Sequence, residues 1–328
     1  MSVFANCSAY RVDIASQEKP DTGTGWSIDQ DGASKMADYE FIKLQLDGGV
    51  ATLTLNRPEK RNAISDAMRA ELIHALEAVS ADRGTKALVL TGEGKGFCAG
   101  GDISGMQRRM DAPSGEVAFN GWSRQQRVHH AVSLLYRMPK PTIAAVNGAA
   151  AGLGADTALS CDFIVASEAA SFTWSYIARG LIPDGGGMYF LPRRVGLARA
   201  KDLIYSGRKV LADEALALGI ADRLAPAGDE VRAAQAWAAE LAQGSATALA
   251  LSKSILDQSS ELTADQVFAM GSQAQGICYT STEHRESVAA FLAKMAEAKT
   301  ARIGTVRTDA ARPDTARAKT AKAPGEGQ

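Results

Sequence analysis

Three glycine-rich segments are the parts of this sequence best suited to chemistry, and they cover residues 92–103, 145–156 and 180–187. Their composition is typical of turns that end strands and open helices. Glycine lets backbone N–H groups approach a ligand closely, and the N–H groups at a helix start are unpaired and carry the positive end of the helix dipole. Two such turns facing one point would form an oxyanion hole, in which each donor contributes roughly 3 kcal/mol. Taken singly, each turn is better explained by packing.

The spacing of these glycines disfavours nucleotide chemistry. The segment GEGKGF at 92–97 lacks the Walker spacing, since no Gly-Lys-Ser/Thr follows a glycine at the required distance. Residues 148–154 give no GxGxxG pattern, and no acidic ribose ligand follows a strand at the distance expected. We therefore expect neither a nucleotidase nor a dehydrogenase.

The composition disfavours several other classes. The formal net charge of the 328 residues is −1, so a whole-chain basic footprint for nucleic acid is missing. No stretch of about eighteen apolar residues is uninterrupted, and the first residues do not resemble a secretory signal. The cysteines are scattered without a CxxC pattern, which disfavours disulfides and zinc. We predict a cytoplasmic protein with no metal, no nucleic-acid partner and no membrane span.

The elements that must position the glycine-rich turns alternate between strand and helix, which favours an α/β layer architecture. Ser65 is a suitable N-cap for the first helix. The predicted strands are 40–46, 50–55, 86–91, 141–146 and 162–166, the first two forming a hairpin. The predicted helices in this part are 65–81, 123–137 and 152–160.

The chain divides into four predicted regions. Residues 1–37 are polar without periodicity and are expected to form a flexible leader. The core covers 38–228, although the pattern after Gly185 is almost entirely helical, with the last helices near 229–243, 245–258 and 262–297. Residues 229–298 are therefore predicted to form a helical C-terminal region. The composition of 299–328 shifts to Ala, Thr, Arg, Lys and Pro, which is typical of a disordered tail.

Taken together, the segments resemble one family. NRPEKRNA (56–63), GKGFCAGGDI (94–103), AAVNGAAAGLGAD (144–156) and GLIPDGGG (180–187) occur in the order and spacing of the enoyl-CoA hydratase/isomerase, or crotonase, superfamily. The resemblance covers about residues 38–298. It implies a ββα spiral core with a C-terminal trimerisation region, and a homotrimer or dimer of trimers. It also implies an acyl-CoA substrate bound in an oxyanion hole, with no separate cofactor because CoA is part of the substrate.

The resemblance assigns candidate binding residues by position. The donors of the hole would be the backbone N–H groups of Ala99 and Leu153; relatives often have glycine at the second position, but a backbone donor needs no particular side chain. Phe291 and Lys294 match a Phe-x-x-Lys pair that reaches a neighbouring subunit's CoA in relatives, while helix packing is the alternative for Phe291. CoA would lie along Lys60, Arg61, Ala63, Ala99, Gly100, Asp102 and Ile103, with Lys60 and Arg61 either pairing with phosphates or simply solvated.

The sequence departs from the family at two positions. Hydratases of the family add water with a pair of glutamates, and here Asp156 and Tyr176 stand in their places. Asp156 keeps a carboxylate on a shorter side chain. The Tyr176 phenol, with an ordinary pKa of about 10, is a poor base at neutral pH. Both are candidate catalytic residues, with a structural role for Asp156 and pocket lining for Tyr176 as the alternatives.

Asp184 supplies a further carboxylate, eight residues after Tyr176. It is similar in position to a functional aspartate of certain enoyl- and dienoyl-CoA isomerases and of a dehalogenase, and LIPDGGG is most similar to isomerases of aromatic-acid degradation. A carboxylate in an apolar pocket has a raised pKa and is suited to moving a carbon-bound proton. The alternative is a plain Pro-Asp-Gly turn.

The sequence therefore predicts an enoyl-CoA hydratase/isomerase family enzyme that stabilises an enolate, with double-bond isomerisation favoured over hydration. Two alternatives stay open. Asp184 could instead attack carbon as a nucleophile, as in a hydrolase or dehalogenase. The chain could also bind CoA without turnover. The acyl group is not specified, and residues 105–126 are expected to shape its pocket.

Overall fold

The computed structural model describes residues 26–28, 34–36 and 38–310. The leader predicted at 1–37 otherwise lies outside the described residues, as does the predicted tail beyond 310. The strands are β1 (Trp26–Ile28), β2 (Ser34–Met36), β3 (Ile42–Asp47), β4 (Val50–Leu55), β5 (Ala87–Gly92), β6 (Thr142–Val146), β7 (Ala149–Ala151), β8 (Phe163–Ser167), β9 (Ser171–Thr173), β10 (Lys209–Leu211) and β11 (Arg223–Ala225).

Helices make up most of the remaining described chain, which divides into two compact units after Ala246. None of the helices within the described residues is long and apolar enough to cross a membrane. The helices are α1 (Asp66–Ala81), α2 (Ile103–Met110), α3 (Ser114–Tyr136), α4 (Leu153–Leu159), α5 (Gly187–Val195), α6 (Leu197–Ser206), α7 (Ala212–Leu218), α8 (Glu230–Leu241), α9 (Ala246–Leu256), α10 (Ala264–Thr280) and α11 (Thr282–Ala310).

The main sheet of the first unit has six strands in the order β11-β8-β6-β5-β4-β3. The predicted hairpin of β3 and β4 is antiparallel, and every other neighbouring pair in this sheet is parallel. A second sheet has the order β10-β9-β7. The α/β class is therefore confirmed. The sequence missed six strands, because each has only three residues and is too short to show a period of two: β1, β2, β7, β9, β10 and β11.

Both faces of the main sheet are buried. In β5, Leu88 and Leu90 join the core cluster that includes residues of α1 and α3, whereas Val89 points to the opposite face. That face is covered by α8, whose Ala234 and Ala238 are fully buried. These alanines lie four residues apart on one side of the helix and allow a close approach to the sheet. The helical C-terminal region predicted from residue 229 stays a prediction, and α8, which would be its first helix, packs on the sheet of the first unit.

The second unit contains the remaining helices and differs from prediction at two points. A single helix was expected over 262–297, but Ser281 has an extended backbone that separates α10 from α11. The start of α10 is fixed by a capping box between Thr263 and Gln266. Because α11 runs to Ala310, the first residues of the tail predicted from 299 are helical.

Candidate active site

Two asparagine amides hold the glycine-rich turns together. Nδ2 of Asn62 donates to the carbonyl oxygens of Glu93 and Gly96 at 3.0 and 2.8 Å. Nδ2 of Asn147 donates to the carbonyl oxygen of Gly92 at 2.9 Å. The turns follow β5 and β6, which are neighbouring parallel strands, so their carboxyl ends meet at one edge of the sheet.

Two unpaired backbone amides occur at this edge, those of Gly101 and Leu153. Both residues line a cavity of about 220 Å³, and neither N–H has a hydrogen-bond partner among the described residues. Leu153 opens α4, where the first amides have no partner within the helix. Gly100 makes the approach possible, since a Cβ there would lie 2.8 Å from the carbonyl oxygen of Ala151 and 3.4 Å from the Leu153 nitrogen.

Ala99, predicted as a donor of the oxyanion hole, has to be corrected. Its N–H already donates to the carbonyl oxygen of Arg61 at 2.9 Å, and Ala99 is not among the residues that line the cavity. Gly100 has a φ of 98°, which turns the chain between Ala99 and Gly101. The N–H of Asp102 then bonds to the carbonyl oxygen of Ile64 at 3.1 Å. Successive N–H groups of an extended chain point in opposite directions, so the Gly101 amide is left for the cavity.

Asp184 also lines the cavity. Burial raises the pKa of its carboxyl group above the usual range, and the charges of Arg124 and His129 and a hydrogen bond from the Gln125 side chain act in the opposite direction. Nε2 of His129 lies 3.0 Å from the backbone carbonyl oxygen of Asp184. Because a carbonyl oxygen can only accept, Nε2 is the donor, and α3 therefore holds both the backbone and the side chain of Asp184.

Asp156 occupies a different environment. It is fully buried and is not among the residues that line the cavity. Trp174 Nε1 donates to its Oδ1 at 3.0 Å, Tyr176 Oη donates to its Oδ2 at 2.7 Å, and the backbone N–H of Gly187 is a third donor. Burial raises the pKa of Asp156 to about 7 against these hydrogen bonds, and the charge of Asp184 adds to the rise. The carboxylate has its acceptor sites directed into the protein.

Tyr176 lines the cavity in front of this network. Burial, and then the neighbouring Asp156, raise the pKa of its phenol far above the usual value. The hydroxyl is therefore neutral and its hydrogen is committed to Asp156. Of the two residues at the glutamate positions, only Tyr176 reaches the cavity.

The glycine triplet at 185–187 is required by close packing. A Cβ at Gly187 would lie 2.4 Å from Oδ1 of Asp156, and one at Gly185 would lie 2.4 Å from Cδ1 of Leu153. Larger residues at either position would displace the Asp156 carboxylate or the residue that carries an unpaired amide. The turn that contains Asp184 therefore packs closely against both Asp156 and Leu153.

The predicted CoA residues of the first unit fall into two groups. Asp102 is engaged within the protein: its carboxylate accepts from Arg57 Nη1 and from the Ser104 backbone, both at 3.0 Å. The hydrogen bond from the Ser104 hydroxyl, and then the one from Arg57, lower the pKa of Asp102. Asp102 therefore stabilises the turn. The other predicted CoA residues differ in solvent exposure. Those that are exposed are Lys60, Arg61, Ala99 and Ile103, whereas Ala63 is half-buried and Gly100 is buried.

Phe291 and Lys294 lie on α11 of the second unit, and both are exposed. Their predicted contact with a neighbouring subunit's CoA stays a prediction. Within the described residues, no group of three or more His, Cys, Asp and Glu side chains is placed to hold a metal ion.

Among the described residues of the cavity wall, sequence reasoning named only Leu153, Tyr176 and Asp184 as site residues. Gly101 was passed over for Ala99, although the Gly100–Gly101 pair signals a change of chain direction. Arg124 and Gln125 line the cavity from α3. The sequence placed the acyl pocket near 105–126 but gave no signal for these side chains, because no motif or period marks them.

Comparison with known proteins identifies the family of this chain. The family model described as Enoyl-CoA hydratase/isomerase matches residues 45–299. The 1,2-epoxyphenylacetyl-CoA isomerase of Escherichia coli (strain K12) is 38% identical over 255 residues, which covers 78% of this chain and 96% of the relative. A probable enoyl-CoA hydratase of Rhodobacter capsulatus is 35% identical over 260 residues, with the same coverage of the two chains.

Solved structures give the same result. An enoyl-CoA hydratase from Polaromonas sp. JS666 aligns with a TM-score of 0.72 at 36% identity, covering 77% of this chain and 97% of the other. A putative enoyl-CoA hydratase from Streptomyces coelicolor A3(2) aligns with a TM-score of 0.74 at 33% identity, covering 80% and 94%. With its two unpaired amides at the carboxyl edge of a crotonase-type sheet, the chain belongs to the enoyl-CoA hydratase/isomerase family of enzymes.

Proposed function

We propose that this enzyme moves the double bond of an enoyl-CoA thioester, with Asp184 as the only catalytic base. The amides of Gly101 and Leu153 hold the thioester oxygen. Asp184 removes the proton between the thioester carbonyl and the double bond of a 3-enoyl-CoA, and the electron pair moves onto that oxygen to give a dienolate. The protonated Asp184 then returns the proton to the far carbon of the dienolate, which forms the conjugated 2-enoyl-CoA. No cofactor is needed beyond the CoA of the substrate.

One observation carries this proposal. A single cavity is lined by two residues with unpaired amides and by Asp184, which is the only carboxylate among its described wall residues. The raised pKa of Asp184 makes it a stronger base than an ordinary carboxylate, while the amides stabilise the charge that develops on oxygen.

Hydration is less well supported. In the hydratases of this family, two glutamates handle the water and the proton. Here the carboxylate of Asp156 is fully buried and accepts from Trp174 and Tyr176, so it is not available to orient water in the cavity. Relatives with hydratase names and with isomerase names both resemble this chain, so identity alone does not favour either reaction.

A three-substrate incubation in deuterated water tests the proposal. Crotonyl-CoA, a 3-enoyl-CoA and an enoyl-CoA derived from an aromatic acid are each incubated with the enzyme and analysed by mass spectrometry and NMR. Isomerisation leaves the mass unchanged apart from exchanged deuterium, whereas hydration adds the mass of water. Rapid hydration of crotonyl-CoA without any shift of the 3-enoyl double bond would overturn the proposal.

A matched pair of variants identifies the base. Asp184→Asn removes the proposed base from the cavity, while Asp156→Asn alters a buried carboxylate outside it. We expect the isomerisation rate to fall by more than a hundredfold in Asp184→Asn, since general base catalysis contributes a factor of roughly 10²–10⁴. We expect a smaller fall in Asp156→Asn. A larger loss for Asp156→Asn than for Asp184→Asn would move the base to Asp156.

A further inference from the structure

Unpaired polar atoms are concentrated at one place in the described chain, the contact between α1 and α3. Five buried side-chain nitrogen or oxygen atoms lack a hydrogen-bond partner, and four of them belong to Arg69, Arg124 and Gln125. They are Nε and Nη1 of Arg69, Nε of Arg124 and Oε1 of Gln125. The three arginine nitrogens are donors of cationic groups, and leaving them buried and unpaired is costly, so they indicate a missing acceptor. Oε1 of Gln125 is itself an acceptor and gives no such indication.

The charge at this contact is positive. Arg69 is only 3% exposed, and its Nη2 lies 2.5 Å from Oδ1 of Asp66. Nε of Arg124 lies 3.4 Å from the same oxygen, so one carboxylate that is itself largely exposed is shared by two guanidinium groups. Arg127 is a further cation close enough to act on Arg69. Asp184 is a second carboxylate whose charge acts on Arg124, so the three guanidinium groups at this contact face two carboxylates.

The cluster adjoins the proposed reaction site. Arg124 and Gln125 line the cavity that contains Asp184, whereas Arg69 lines a neighbouring apolar cavity of about 20 Å³. Val128 and Leu153 belong to the walls of both cavities, so the two spaces are adjacent at the residue that carries one of the unpaired amides. An acyl chain whose thioester oxygen is held at Leu153 would lie in the cavity that Arg124 lines, with Arg69 on the wall of the adjoining cavity.

We propose that Arg124 and Arg69 form a subsite for a carboxylate at the far end of the acyl group, so that the substrates are CoA thioesters of dicarboxylic acids. This inference rests on the proposed function for the orientation of the acyl chain. A carboxylate supplies charge-assisted acceptors for the unpaired guanidinium donors and adds the negative charge that balances the third guanidinium group. A hydroxyl group or a single water would supply acceptors without the charge.

Binding of two saturated thioesters tests the subsite without any turnover. Adipyl-CoA and hexanoyl-CoA have the same six-carbon chain and differ in the terminal carboxylate. By calorimetry we expect the wild type to bind adipyl-CoA at least about tenfold more tightly, as for a charge-assisted hydrogen-bonded pair. Pentanoyl-CoA and glutaryl-CoA repeat the comparison one carbon shorter, because the depth of the subsite sets the best chain length.

Variants assign the preference to the two arginines. Arg69→Met and Arg124→Met should each reduce the adipyl-to-hexanoyl affinity ratio toward one, and Arg69→Lys should give an intermediate ratio because lysine keeps the charge but not the planar fork. Arg137→Met, at the exposed end of α3, is the matched control and should keep the wild-type ratio. Circular dichroism establishes that each variant is folded, and Arg124→Met serves if Arg69→Met does not fold.

The outcomes separate this inference from the proposed function. Equal affinities of the wild type for both thioesters at both chain lengths would mean that only water occupies the cluster, and would overturn the subsite. A preference that survives both Arg69→Met and Arg124→Met would also overturn it. Preferential binding of adipyl-CoA without isomerisation of any enoyl-CoA would leave the subsite standing and remove the proposed function instead.

Discussion

The hydroxyl group of Tyr176 donates a hydrogen bond of 2.7 Å to Oδ2 of Asp156. One residue lines the cavity and the other is fully buried behind it. Because the hydroxyl hydrogen is committed to Asp156, the Tyr176 oxygen can offer only lone pairs to the cavity. The two residues that replace the glutamate pair therefore support the site from behind, and we propose that the proton chemistry falls to Asp184.

Tyr176→Phe tests this relationship. The change leaves the Asp156 carboxylate with one donor fewer, so we expect the free energy of unfolding at pH 8 to fall by about 1.5–3 kcal/mol, the usual value for a hydrogen bond to a charged group. The loss should be smaller at pH 5, where Asp156 is protonated. Urea denaturation at both pH values measures it, with Tyr205→Phe as a control at an exposed tyrosine. Equal losses at the two pH values would contradict an ionised acceptor.

Asp156 should make stability depend on pH. Its folded-state pKa of about 7 lies above the ordinary value of 3.8, so the folded protein binds the proton more tightly than the unfolded chain. The stabilisation is therefore fully present below about pH 4 and is lost as pH rises through 7, by roughly 4 kcal/mol in total. Denaturation curves between pH 5 and 8 should show this slope in the wild type and a smaller one in Asp156→Asn, in which Asp184 with its raised pKa remains. Parallel profiles would mean that Asp156 stays ionised throughout.

Gly101→Pro and Ala99→Pro distinguish the proposed donor from the corrected one. Proline removes the N–H in both cases. Gly101→Pro should reduce kcat by about a hundredfold or more, because it removes a donor of the oxyanion hole. Ala99→Pro removes the bond to the Arg61 carbonyl and should lower the free energy of unfolding by about 1 kcal/mol with a smaller loss of kcat. Steady-state kinetics and denaturation of both variants make the comparison, and the opposite ranking of kcat would restore Ala99 as the donor.

We expect the activity to depend on pH through the ionisation of Asp184. The base must be ionised to accept a proton, and burial raises its pKa, so kcat/KM should rise with pH through a value above the ordinary range of aspartate. Asp184→Asn should abolish the rise together with turnover while leaving the affinity for CoA thioesters nearly unchanged. Asp213→Asn, at an exposed position in the first turn of α7, is the control. A profile that is flat down to pH 4 would exclude a base with a raised pKa.

The exposed apolar side chains of the C-terminal helices lead us to expect that the protein self-associates. Within the second unit, large apolar side chains are exposed on α10 and α11, and a surface of this kind marks an interface between proteins. They include Phe268, Ile277, Phe291, Leu292 and Met295. Sedimentation of the full chain should give the mass of a trimer or hexamer, and Phe291→Glu should shift it toward smaller species. A monomer at micromolar concentration would contradict the trimer implied by the family resemblance.

Much of the secondary structure could be predicted from local patterns in the sequence. Ser65 caps α1 as predicted, accepting a hydrogen bond from the Met68 amide at 3.1 Å, because capping depends on residues within one helical turn. The hairpin of β3 and β4 and the parallel strands that follow were equally readable from alternation and turn residues. The family could be identified because its motifs are made of contiguous residues whose spacing is visible in the chain.

The tertiary structure decided which groups face the cavity. The left-handed backbone of Gly100 turns the chain between the Ala99 amide, which donates to Arg61, and Gly101, which lines the cavity with its amide unpaired. Asp156 points inward because the donors of Trp174 and Tyr176, far along the chain, converge on it. The direction of an amide or a carboxylate is set by such long-range contacts, whereas residue type and spacing are local. The sequence by itself therefore determined the family and the turns, and only the folded chain decided which amides and which carboxylate the site can use.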